Sequence, residues 1–76
     1  MTDEEITLEI RQELIRQRIA IWRNTAFQAT ADFRVAQRVG DAEMITVAKA
    51  TIARAEKFLM AYGEELAALQ DGEIHA

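Results

Sequence analysis

The sequence predicts an all-α fold: an antiparallel hairpin of two long helices, in a single domain of 76 residues. Three observations predict it. Proline is absent and only three glycines occur, so almost nothing interrupts a helix outside those places. Apolar residues recur in steps of three and four on both sides of Gly40-Asp41, the spacing that gathers them on one face of an α-helix. Gly40 and Asp41 themselves read as a stop and a restart: glycine can take the left-handed conformation that closes a helix, and aspartate can cap the next one.

Helix 1 is expected over about residues 3–39. Thr2-x-x-Glu5 has the form of a capping box, and Asp3, Glu4 and Glu5 suit the positive end of a helix dipole. The main apolar stripe is Leu8, Ile15, Ile19, Trp22, Ala26, Ala29, Phe33 and Ala36. A second stripe, Ile6, Ile10, Leu14 and Ile21, lies on another flank and returns at Val35 and Val39. Between the two run Arg11, Arg18, Thr25 and Asp32, spaced by sevens. After a turn at residues 40–41, helix 2 is expected from about Ala42 to Gln70, with Gly72 as its terminator and residues 71–76 as a flexible tail. Its core stripe is Met44, Ala48, Thr51, Ala55, Phe58, Tyr62 and Leu69, and beside it stands a ladder at seven-residue spacing, Ile45, Ile52, Leu59 and Leu66. Gly63, inside this helix, costs about 1 kcal/mol relative to alanine and reads as a weak point.

A hairpin closing at Gly40-Asp41 makes residues whose numbers sum to about 81 face each other. Trp22 then meets Phe58 and Leu59, Ala26 meets Ala55, and Phe33 meets Ala48, so the arms approach closely near the bend and splay toward their ends. Each helix carries more apolar surface than one neighbour can cover, while burial must offset about 1.5 kcal/mol of ordering cost per residue. The sequence therefore predicts a homo-oligomer, a dimer in the simplest case, closing as a four-helix bundle or a coiled-coil-like assembly. The residues assigned to that interface are Ile6, Ile10, Leu14, Ile21, Ile45, Ile52, Leu59 and Leu66.

Composition narrows the chemistry. There is no cysteine, which excludes disulfides, thiolate catalysis and cysteine-ligated zinc, and the single histidine is His75, next to the last residue. No Glu-x-x-His motif, phosphate-cradling glycine loop or nucleophile elbow is present. Glu73 with His75 makes a weak metal pair, and the neighbours Glu64 and Glu65 do not share a helix face. A non-enzymatic protein with neither cofactor nor metal is the expectation. The acidic N-terminus is unlike a secretory signal, and no uncharged apolar run approaches the ~20 residues that span a bilayer. A soluble, cytoplasmic protein with no membrane partner is expected. The net charge of -4 arises wholly after residue 40, since six arginines balance six acidic residues before it. That argues against general attraction to nucleic acid but leaves room for a local basic stripe.

One such stripe lies on the outer face of helix 1, where Arg16, Arg23, Phe27, Arg34 and Arg38 fall within a narrow arc away from the main seam. Arginines around an exposed ring can neutralise phosphates while the ring stacks on a base. Equally, Phe27 can pack on a neighbouring subunit while the arginines pair with acidic residues of helix 2. The arrangement resembles in architecture the plasmid copy-number ROP-type helical hairpin, and the resemblance implies a dimeric four-helix bundle presenting basic residues around an aromatic to RNA. Residues 8–15 are also similar to the first helix of all-helical mutases, though the chain lacks a third helix and no site is carried over. The expected role is an oligomerising assembly or adaptor module serving a larger protein assembly such as a virion, of a size that suits a small phage or plasmid accessory protein. The alternative is a dimeric regulator binding RNA through the Arg/Phe face. An active site between subunits, built around Arg11 and Arg18 with buried carboxylates, is a third and weaker reading.

Overall fold

The structure, a computed structural model, describes the backbone of residues 3–75 and the side chains of residues 7–70. The Thr2–Glu5 capping pair and the side chain of Ile6 lie outside the described residues. Helix α1 spans Asp3–Val39 and helix α2 spans Ala42–His75. They pack on each other as an antiparallel hairpin, with no strand among the described residues.

The bend is built by the two residues between the helices. Gly40 has φ of 82°, a left-handed backbone that a side chain would strain. That geometry lets the Ala36 carbonyl accept both the Gly40 N–H at 2.8 Å and the Asp41 N–H at 3.0 Å, so the end of α1 is closed by its own backbone. Asp41 then caps α2: its Oδ1 accepts the Met44 N–H at 3.0 Å, and its carbonyl accepts the Ile45 N–H at 3.0 Å. At the other end α2 runs through Gly72 to His75, past the expected stop at Gln70. A lone glycine withdraws only about 1 kcal/mol from a helix, and no proline follows to remove a backbone donor.

Aromatic contacts fix the register far from the bend. Trp22 and Phe58 stack with ring centroids 4.4 Å apart and planes 4° from parallel, and Tyr62 tilts against Phe58 at 6.3 Å. The Arg54 guanidinium lies 5.6 Å from the Phe58 centroid, and Lys49 Nζ lies 5.8 Å from that of Phe33. The two contacts that cross between the helices, Trp22 with Phe58 and Phe33 with Lys49, match the facing rule read from the sequence. Thr51 joins the seam because its hydroxyl donates to the Val47 carbonyl at 3.0 Å and so enters the half-buried stripe already bonded.

The core is made of small residues. Among the described residues the buried apolar side chains are Ala29, Ala36, Ala48 and Ala55, two of them at 0% exposure, and no large side chain is fully buried. Ile15, Ile19, Trp22, Tyr62, Leu66 and Leu69 are only half-buried. Among the described residues Gln12 is the one buried polar residue, and no buried side-chain nitrogen or oxygen there is left without a partner. The molecule is a slab of 56 × 17 × 12 Å with a radius of gyration of 17.2 Å, against roughly 11 Å for a compact globule of this length. Its accessible surface is 5995 Å², about 1,300 Å² more than a compact monomer of this mass exposes.

Candidate interaction surfaces

Two faces of α1 are left uncovered by the hairpin, one apolar and one basic. The apolar face follows from helix geometry: at 3.6 residues per turn, Ile10, Leu14, Ile21, Val35 and Val39 share one flank, well away from the stripe that meets α2. Leu14 and Ile21 are each 54% exposed, and Ile10, Val35 and Val39 are likewise exposed. Arg11, Leu14, Ile15, Glu65 and Leu69 line an open cleft of about 400 Å³, which places this flank on the same side of the hairpin as the Glu65 edge of α2. Phe58, seven residues before Glu65, shares that edge and carries the Trp22 stack and Arg54.

The α2 ladder assigned to the oligomer interface has a different environment. Ile45, Ile52, Leu59 and Leu66 are half-buried rather than bare, drawn toward the seam between the two helices. A seven-residue repeat falls short of two full α-helical turns by ~20°, so a ladder that starts beside the core stripe turns progressively into it. Of the residues assigned to the interface, those with clear exposure are therefore Ile10, Leu14 and Ile21 of α1.

The basic face lies on the other flank of α1. Phe27 is 74% exposed, and Arg16, Arg23, Arg34 and Arg38 are all exposed around it. The one ion pair among the described residues is Arg16 with Glu13, at 3.9 Å and within α1. The cross-helix pairing that would have tied these arginines to acidic residues of α2 is not formed among the described residues, so Arg23, Arg34 and Arg38 carry no ion pair on the helix face they share with Phe27.

The cleft holds Arg11 and Glu65, but Glu65 is exposed, so no buried carboxylate stands opposite the arginine. Among the described residues no group of three or more His, Asp or Glu side chains is placed to hold a metal ion. No described helix is long and apolar enough to cross a membrane. Two exposed apolar residues escaped the sequence reading: Val47 and Met60 belong to neither stripe of α2, and their only signal was an apolar side chain out of phase with its neighbours. No protein-family model, curated protein or solved structure matches the chain.

Proposed function

We propose that this chain is a non-enzymatic assembly module, a helical hairpin that joins other subunits through the apolar flank of α1 and offers its Arg/Phe face to a larger protein complex. The observation that carries the reading is the imbalance between core and surface. Among the described residues the only apolar side chains enclosed completely or nearly so are four alanines, while Leu14 and Ile21 stand half in water. Burying a large aliphatic side chain completely is worth ~1.5–3 kcal/mol, so covering a face of several such residues stabilises a small domain more than the hairpin can by itself. A small accessory protein of a phage or plasmid assembly, working in the cytoplasm, fits this reading. Sedimentation equilibrium across the micromolar range tests it. Oligomers that dissociate on dilution and are lost in Leu14→Glu/Ile21→Glu support the module; a well-folded monomer at every concentration refutes self-assembly and leaves only a heterologous partner.

A second reading is favoured by the exposed Phe27 among unpaired arginines, and it concerns RNA. In it the same module binds an RNA loop, Arg23 and Arg34 contacting phosphates while Phe27 stacks on a base. Its mark is binding that weakens steeply with salt and disappears in Phe27→Ala/Arg23→Ala/Arg34→Ala. Absence of any binding at low salt removes it.

A further inference from the structure

Resting on the assembly reading above, we propose that the apolar flank of α1 is covered by a second copy of this chain. The two α1 helices lie antiparallel, with a two-fold axis beside Asn24 and Thr25. The flank is part of a continuous seam in which residues 14, 18, 21, 25, 28, 32, 35 and 39 alternate steps of four and three, the spacing of two helices wound on each other. Reversed on itself, this seam is self-complementary. Ile10 meets the partner's Val39, Leu14 meets the partner's Val35, and Ile21 meets the partner's Gln28.

The charges agree with that direction. Arg18 and Asp32 occupy two of these seam positions, both exposed, and among the described residues neither has an ion-pair partner within the chain. In this register Arg18 comes within one residue of the partner's Asp32, twice per dimer, and Asn24 and Thr25 of the two copies meet at the axis. A parallel pairing would instead stack arginine on arginine and aspartate on aspartate, which costs rather than stabilises. Helix α2 offers no equivalent seam on this side, where Val47 and Phe58 are interrupted by Arg54 and Glu65. The two-fold contact is closed, each subunit using the same patch. The ~1,300 Å² of surplus surface exceeds the roughly 800 Å² per partner that a stable interface buries. The Arg/Phe faces then point outward on both sides of the dimer.

The chain has no cysteine, so Asn24→Cys and Arg38→Cys, both at exposed positions, each take one nitroxide label per subunit. Pulsed electron-spin distances then read the pairing. At 1.5 Å per residue, the antiparallel arrangement separates the two labels at position 38 by about 40 Å along the axis and brings those at position 24 side by side. In parallel, Arg18→Asp and Asp32→Arg should each weaken the dimer roughly tenfold, and the double exchange should restore it. A monomer at all concentrations overturns the assembly reading itself. A dimer with equally short distances at both positions, or charge variants that the double exchange does not rescue, leaves self-assembly standing and overturns the antiparallel α1 pairing.

Discussion

The same substitution, glycine to alanine, should act with opposite sign at two places in this hairpin. At Gly63 a Cβ would meet nothing within 4 Å, and the residue lies in the regular interior of α2. Alanine there recovers the glycine penalty of about 0.8–1 kcal/mol without displacing a neighbour. At Gly40 a Cβ also finds open space, but φ is +82°, so alanine is forced into the left-handed region at a cost of ~1–2 kcal/mol. For a domain of this size 1 kcal/mol moves Tm by about 4–8 °C. Gly63→Ala should therefore raise the midpoint by that amount, and Gly40→Ala should lower it by as much or up to twice as much. The assay is thermal denaturation followed by circular dichroism at one fixed protein concentration, since the self-association proposed above would make Tm concentration-dependent. A lowered midpoint for Gly63→Ala would show that another backbone packs against α2 at Gly63. An unchanged midpoint for Gly40→Ala would refute the left-handed closure of α1.

Asp41→Ala removes the acceptor of the Met44 N–H and should cost about 1 kcal/mol, with Asp41→Asn retaining most of the stability; urea denaturation of the three proteins distinguishes them. Ala55→Leu forces a large side chain into a fully closed part of the seam and should cost ~1–3 kcal/mol by the same measurement, and a neutral result would mean that the arms are not in close contact there. Phe27→Ala should leave stability within about 0.5 kcal/mol, because the ring is mostly in water, while abolishing recognition of whatever binds the basic face. A large loss of stability would instead place Phe27 inside a subunit contact.

How much of this was legible in the sequence depended on how local the signal was. The bend was legible because Gly40 and Asp41 act through their own backbones and nearest turns, so two residue types at adjacent positions suffice to specify it. The Trp22–Phe58 pairing followed from the bend alone, since helix rise is constant and position 22 has only one possible height on α2. The fate of Ile45, Ile52, Leu59 and Leu66 was harder to read. A ladder of sevens looks like a separate stripe on a flat wheel, and only the packed pair of helices shows it turning into the seam. The basic face was visible as a spacing, but whether its arginines would bridge to α2 depended on side-chain reach across the hairpin, which periodicity does not contain. Gln12 gave no such signal: a polar side chain does not announce its burial, yet this one is only 7% exposed.

The alanines next to the bend also govern how the molecule yields to force. Where Ala36 and Ala48 lie closed against the opposite arm, little side-chain length is available to take up a change in spacing, so that end works as a stiff fulcrum. Farther out, where Ile15, Ile19, Tyr62 and Leu66 are only half-enclosed, long side chains can change rotamer and let the arms part like the legs of a pair of tweezers. A body gripping the arms at that level would find them compliant, whereas one seated near the fulcrum would meet a surface of fixed width.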